Sequence, residues 1–527
     1  MPDAATPTPD PPNVLFIVSD QHNAKCLGHA GHPDVKTPAL DRLAAEGVRF
    51  NTAITQNPIC TPSRVSFLSG QYCHNHGYYG LSGPNPGGLP NIFGHFRRHG
   101  YTTAAFGKIH CPEYWVEDDC DVFHETAGCS IGGRSGEYAA FLAEHEATDR
   151  EDHKGFKEFG DRGTQSSDAR ASEATYEESQ EGWVASRTVR FMREAREAGG
   201  PFLAFASLPK PHQAYAPARE FWEMYDEEAL TLPPSCDMDL EAAGKAPNLV
   251  GTVEIMRRGE WTLFEPRTFE AGRRRKLRGY LGNITHVDRA VGDMLEGLDE
   301  AGLADNTIVV YTSDHGDYAT EFDVMEKAPG ICADAITRVP MIWRVPGVTR
   351  AATSTDHIAE LVDISQTLCS LSGLPTLETA DGRDLSGLLR GCDEPVHDVG
   401  VTEFAYSKSI RRGRHRLVWY PRARFPDRDE PFGELYDLKA DPWEMKNLYF
   451  DPAYRDVVGD LTDRLTEWLV TTTRITTSLG VNTGRRPPAD DPGQYRLRYD
   501  NYVNADRKIS GDHVRRALLH GPAGNYT

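Results

Sequence analysis

Short apolar runs rich in β-branched residues alternate with longer amphipathic stretches through most of the chain. The runs at 13–19, 102–106, 201–207, 307–312 and 340–345 predict strands. Between them, the stretches at 38–47, 62–69, 92–99, 183–198 and 274–302 repeat their apolar positions with a helical period. A strand covered on both faces reads as a continuous apolar run, and alternation with helices implies a mainly parallel sheet. Two segments break the rhythm: 130–180 is rich in Glu, Asp, Ser and Gly, and 216–270 in Pro, aromatics and acids. Both are expected to be excursions over the sheet.

Beyond residue 395 the pattern becomes that of short antiparallel strands, at 398–404, 409–412, 416–421 and 433–438, followed by a helix over 454–473. From 480 the chain is turn-rich and charged, with a short helix expected near 513–520. The predicted fold class is α/β. A large, mainly parallel sheet flanked by helices spans 1–395, a small α+β unit with an antiparallel sheet spans 396–479, and a tail spans 480–527.

Charge narrows the function classes. The formal net charge is −21 and the pI near 5.4, which argues against a nucleic-acid binder. The one basic cluster, Arg273 to Lys276, is expected to be a solvated helix end. An anionic substrate would have to be held by cations concentrated locally. The first dozen residues carry no basic or apolar leader, and the apolar runs are too short to span a bilayer. Ten cysteines without a paired framework fit reduced thiols, so the expected location is the cytoplasm, away from membranes.

In an open parallel sheet, ligands bind beyond the carboxyl ends of the strands. Here those ends run into Asp20-Gln21, Gly107-Lys108-Ile109-His110, Lys210-Pro211-His212 and Asp314-His315-Gly316. Acids, amides, cations and imidazoles at four strand tips describe a site better than they describe packing. Asp20, Gln21, Asp314 and His315 suit a divalent cation; the oxygens favour Ca²⁺ or Mg²⁺, and the imidazole moves the balance toward Mn²⁺. Cys60-Thr61-Pro62-Ser63-Arg64 opens a helix, and Cys60 and Arg64, four apart, should share one face of it. Other clusters carry less. His22, Cys26, His29 and His32 fit no zinc spacing, His74 and His76 are expected to orient the loop after that helix, and Cys111, Cys120 and Cys129 to pack.

The run CTPSR resembles the Cys-x-Pro-x-Arg signature of the formylglycine-dependent sulfatases of the alkaline phosphatase superfamily. The likeness continues in order through VKTPALDRLAAEGVRF, SFLSGQYCHNHG, GKIH, SLPKPH, the 280–295 helix, SDHGD, EKAPGICADAITRVP and ELYDLKADPWEMKNL. It implies hydrolysis of a small sulfate ester, arylsulfatase-like, through a covalent sulfo-enzyme intermediate. Cys60, oxidised by a formylglycine-generating enzyme, would hydrate to a geminal diol that joins Asp20, Gln21, Asp314 and His315 around one divalent metal, Ca²⁺ ahead of Mn²⁺. Arg64, Lys108 and Lys327 match the cations around the transferring group, His212 the acid beside the leaving oxygen, and His110 the base that expels sulfate. Gln21, where many sulfatases carry a second Asp, and His315, where some carry Asn, also resemble phosphonate monoester hydrolases and choline-sulfatase-like members. A phosphonate monoester or phosphodiester hydrolase is therefore the alternative. The tail resembles extensions that reach a neighbouring subunit, which implies a homo-oligomer.

Overall fold

The computed structural model describes residues 11–474 except 82–87, 113, 127–135, 147–168, 259–271, 328–330 and 378. The expected tail, the helix near 513–520, Cys129 and much of the 130–180 excursion lie outside the described residues.

The core is built on β1 (Asn13–Asp20), whose side chains are buried throughout. Because alternate residues of a strand face opposite ways, Val14, Phe16 and Val18 enter one apolar layer and Leu15 and Ile17 the other. Around it lie β2 (Val48–Ile54), β3 (Thr102–Gly107), β4 (Val122–Glu125), β5 (Phe202–Pro211), β6 (Thr307–Ser313), β7 (Arg338–Val339), β8 (Met341–Arg344) and β9 (Thr353–Glu360). The sheet runs β4-β3-β5-β1-β6-β8-β2-β7, with β9 paired to β2. β1 is parallel to both β5 and β6, so all three finish on the same edge.

Three helices contribute to the layer with Leu15 and Ile17: α1 (Pro38–Glu46), α4 (Gln180–Ala198) and α5 (Arg273–Glu300). Three others contribute to the layer with Phe16: α2 (Cys60–Ser69), α3 (Ile92–Arg98) and α6 (Asp363–Leu371). Burying each large aliphatic or aromatic side chain of these layers contributes about 2 kcal/mol.

The sheet is mixed rather than wholly parallel, since β8 runs antiparallel to β6 and β2. Strands β2, β4 and β9 escape the sequence pattern because polar residues interrupt them: Arg49 and Asn51 in β2, and Ser354 and Asp356 in β9. The basic cluster is not a solvated helix end. Arg273 pairs with Asp237 and Asp323, Arg274 and Arg275 donate to the carbonyls of Leu230 and Ala169, and Lys276 is buried. Asp237 and Asp323 neutralise Arg273, and the backbone carbonyls of Leu230 and Ala169 take up Arg274 and Arg275.

The separate antiparallel sheet comprises β10 (Gly400–Phe404), β11 (Ser407–Arg412), β12 (His415–Trp419) and β13 (Gly433–Asp437), packed against α7 (Arg455–Thr472) through Val401, Ile410, Leu417, Leu461 and Leu465. It is tied to the loop before Cys60. The Glu403 amide donates to the Gln56 carbonyl at 2.7 Å, and Asn57 Nδ2 donates to the Glu403 carbonyl at 2.7 Å.

A buried imidazole fixes the approach to β10. His397 Nε2 lies 2.9 Å from Asp363 Oδ2, and His397 Nδ1 lies 3.8 Å from Glu360 Oε2. Burial disfavours its charge, but Asp363 and Glu360 outweigh burial and push its pKa up to about 8. A raised folded-state pKa stabilises below the unfolded value of 6.5 and stops doing so as pH rises through 8. Chemical denaturation of wild type and His397→Gln should therefore show a stability gap about 2 kcal/mol larger at pH 6 than at pH 9.

Candidate active site

Four chain segments reach the carboxyl edge of the sheet, and each turns sharply there. Gly107 (φ 93°) delivers Lys108 from the end of β3; a Cβ at this position would run into the Ser207 carbonyl. Gln21 (φ 70°) and His110 (φ 48°) hold left-handed backbone conformations, which side chains with a Cβ rarely adopt. The Gln21 strain is braced: its amide donates to Asp314 Oδ1 at 3.1 Å, and its carbonyl accepts from Tyr280 Oη at 2.8 Å.

Asp20, Cys60, Asp314 and His315 are all buried, with one ligand atom from each lying within 4.8 Å of every other. Cys60 Sγ stands 3.2 Å from His315 Nε2 and 3.9 Å from Asp20 Oδ1. Arg64, one helical turn on, is fully buried too; Nε donates to Asp314 Oδ2 at 2.8 Å and Nη2 to Asp20 Oδ2 at 3.0 Å. The shared face expected of Cys60 and Arg64 is therefore present. Lys108 Nζ reaches Asp20 Oδ2 at 2.6 Å, and Lys327 Nζ donates to Gln21 Oε1 at 2.7 Å. The His212 amide donates to the Asp20 carbonyl at 3.0 Å, placing that histidine against the same strand tip.

The electrostatics match the geometry. Burial pushes the Asp314 carboxyl up to about 6, and the neighbouring Asp20 charge adds to this. Burial acts on Asp20 in the same sense, but Lys108, His212, Arg64 and His315 outweigh it and hold that carboxyl well below the usual range. Burial and Asp20 push the Cys60 thiol up; Lys327, Lys108 and His315 overcome both and bring it well below an ordinary thiol. Position 60 thus favours a negative charge. Burial, with Lys108 and Lys327, drives the His212 proton off. Burial likewise lowers His110, whose Nδ1 is buried with no hydrogen-bond partner among the described residues.

Two carboxylates, an imidazole and position 60 converging in a buried space fit a divalent cation, and Gln21 adjoins them through its backbone N–H, which donates to Asp314 Oδ1. Among the described residues this is the one such group. The His22, Cys26, His29 and His32 loop does not form a second. His22 bonds Tyr311 Oη and the Cys26 carbonyl, His29 bonds Asp41, and His32 accepts from the turn amides of Asp34 and Val35. His76 holds Ser66 of α2 and His74 holds Glu403, as orienting roles require. Cys111 and Cys120 pack against the apolar layer that contains Phe16.

Several supporting residues carry no signal in a single sequence. Ser207 Oγ accepts from Arg64 Nη1 at 2.8 Å, and Asn283 Nδ2 donates to the Ala214 carbonyl at 3.0 Å in the turn that carries His212. Asp317 accepts from Gln21 Nε2 at 2.6 Å. Only Asp317 could have been suspected, since it closes the SDHGD run.

A mixed α/β sheet with a buried acidic group able to hold a divalent cation, a helix-borne Cys60 and three attendant cations has the layout of a hydrolase of the alkaline phosphatase type. The Sulfatase family model matches residues 12–374, and the chain belongs to that family. A second model, N-sulphoglucosamine sulphohydrolase, C-terminal, matches residues 331–471. The chain is 28% identical over 490 residues to the ulvan-active sulfatase of Formosa agariphila, covering 88% of this chain and 81% of that protein. It is 28% identical over 456 residues to the choline-sulfatase of Rhizobium meliloti, covering 84% and 83%. In fold it resembles the phosphonate monoester hydrolase of Agrobacterium radiobacter, with a TM-score of 0.73, 22% identity, and coverage of 88% and 96%. The protein is an enzyme that hydrolyses sulfate esters.

Removing Arg64 would leave two buried carboxylates facing each other. Arg64→Met should lose about 3–5 kcal/mol of stability in chelator. Added divalent cation should restore part of that loss, read as a larger cation-induced rise in Tm than wild type shows.

Proposed function

We propose that Cys60 is oxidised to formylglycine by a formylglycine-generating enzyme and that the hydrated aldehyde attacks the sulfur of a small anionic sulfate ester. The observation that carries this reading is the convergence of Cys60, Arg64 and the Asp20, Asp314 and His315 group in one buried space. Asp20, Gln21, Asp314, His315 and position 60 would hold one divalent cation, which when bound polarises the sulfuryl oxygens and favours an anionic nucleophile. Oxygen donors favour Ca²⁺, with Mn²⁺ as the alternative.

The chain's own groups do the rest. Arg64, Lys108 and Lys327 surround a transition state that gains negative charge, and because they are already in place no reorganisation is needed as it forms. His212 is the general acid beside the leaving oxygen. Burial, with Lys108 and Lys327, strips its proton in the free enzyme, and an anionic sulfuryl group set between the lysines and the ring would offset their field. His110, with its unpartnered Nδ1, is the base that takes a hydroxyl proton from position 60 and so releases sulfate. Ile59, which precedes Cys60, packs with a buried cluster including Phe404, Tyr420 and Phe432, which anchors the run into position 60 on the second sheet.

We further place the catalytic unit at 1–395, the small α+β unit at 396–479 and an oligomer-contacting tail at 480–527, in a cytoplasmic enzyme that binds no nucleic acid. Among the described residues no helix is long and apolar enough to cross a membrane. A phosphonate monoester or phosphodiester hydrolase is the second reading, favoured by one observation: the Gln21 and His315 pair beside two aspartates.

Mass spectrometry of the tryptic peptide 50–64 should find the Cys60 thiol replaced by an aldehyde; an unmodified thiol from a host able to convert it would sink the proposed nucleophile. The kcat/KM for an aryl sulfate should exceed that for the matching aryl phosphonate, and the reverse order would select the second reading. His212→Ala should lower kcat/KM by roughly 10²–10⁴ for a poor leaving group and by much less for a nitrophenolate, which leaves without a proton.

A further inference from the structure

The polar contacts of Gln21 run in a defined chain. Lys327 Nζ donates to its Oε1 at 2.7 Å, and its Nε2 donates to Asp317 Oδ2 at 2.6 Å. An amide can be placed either way round, but here both ends are decided by their partners. An ammonium has only protons to offer, and the Asp317 oxygens are already surrounded by donors. Tyr215 Oη donates to Oδ2 at 3.1 Å, while the amides of Ala319 and Glu326 donate to Oδ1 at 2.7 and 3.0 Å. Among the described residues every hydrogen-bond partner of the Asp317 carboxylate is a donor, and the residue is fully buried.

We propose that Asp317 is the positioning residue of the metal site: it sets the polarity of the Gln21 amide, so that Oε1 and not the NH₂ group faces Lys327 and the cation. The inference rests on Gln21 being a ligand. It assigns a task to a carboxylate to which neither the Cys-x-Pro-x-Arg signature nor the strand-tip pattern gives one. Asp317 also grips the 319–326 turn through two amides, so one side chain couples the orientation of Gln21 to the delivery of Lys327, which follows Glu326.

The same geometry makes residue 317 decide what residue 21 can be. A glutamate at 21 would put a carboxylate 2.6 Å from another inside a buried space, where like charges cannot both persist. An asparagine at 317 would present an NH₂ either to Gln21 Nε2 or to the two turn amides, a donor against donors whichever way it turned. Exchanging both residues restores one donor facing one acceptor.

The test is calorimetric titration of chelator-treated full-length protein with Ca²⁺ and with Mn²⁺, alongside thermal melts without cation. Asp317→Asn should weaken cation binding by roughly 10- to 100-fold, the range expected when a residue that orients a metal ligand is lost. Gln21→Glu should weaken it too, although it adds a carboxylate to a cation site, and Gln21→Glu combined with Asp317→Asn should recover at least tenfold over either single variant. Recovery in the double variant is a result that a merely structural Asp317 would not give. Asp317→Asn binding as wild type does, or a double variant no better than the singles, overturns the inference. If Asp317→Asn fails to fold, Gln21→Glu alone decides: tighter binding than wild type overturns it. Gln21→Ala separates the two levels. Unchanged affinity in that variant means Gln21 is no ligand and its place in the metal assignment falls, and this inference with it, whereas weakened binding in Gln21→Ala with none in Asp317→Asn removes only the role given to Asp317.

Discussion

The structure turns on one buried contact, the guanidinium of Arg64 lodged between Asp20 and Asp314. All three side chains are excluded from solvent. Removing such charges from water is unfavourable by several kcal/mol per ion, and their mutual attraction recovers this only when the geometry is tight and the remaining polar atoms are satisfied. Arg64 meets the condition, with Nη1 donating to the Lys108 carbonyl at 2.6 Å and to Ser207 Oγ. Through that one side chain the tips of β1 and β6, β5 at Ser207 and the turn after β3 are locked to α2 one turn beyond Cys60.

So costly an arrangement has to be held by something else, and the apolar layers on either side of β1 supply it. The neighbouring backbone is pinned from several directions. The Asp314 carbonyl accepts from both Thr55 and Ser63, which fixes the β6 tip against the loop before α2. Left-handed conformations at Gln21 and His110 are tolerable in this setting because the surrounding hydrogen bonds outweigh local strain of about 1–3 kcal/mol each. The second sheet belongs to the same framework, since β10 bonds Gln56 and Asn57 and so restrains the run leading into Cys60.

This division of labour explains what a single sequence could reveal. The central strands were legible because burial on both faces leaves continuous apolar runs, and the strand-tip residues were legible because a parallel sheet puts ligands at one edge. The shared face of Cys60 and Arg64 followed from helical spacing, and their expected roles from the resemblance that CTPSR carries. By contrast, β2 and β9 alternate apolar with polar residues and look like loops, while the Arg273–Lys276 cluster reads as solvated until the acids that neutralise it are seen in space. Ser207 and Asn283 share that difficulty, and Asp317 shares it in part, since the SDHGD run marks the residue but not its partner. Each works through a hydrogen bond to a residue far away in the chain, and no local pattern records such a partner.

The charge distribution completes the picture. A chain with a net charge of −21 repels an anionic ester at a distance, yet position 60 sits where Lys327, Lys108 and His315 outweigh both burial and a neighbouring aspartate. The two facts are compatible because their ranges differ. At physiological ionic strength surface charges are screened beyond about 8 Å, whereas buried charges a few ångströms from the reacting atoms are screened far less. The acidic exterior therefore acts on the approach of substrate, and the interior cations act on the bound anion. In the proposed site Gln21 in place of an acid would sharpen the contrast: a neutral amide would offer a cation an oxygen without a further negative charge beside the sulfuryl group, which would leave more of the field of Arg64, Lys108 and Lys327 for the substrate.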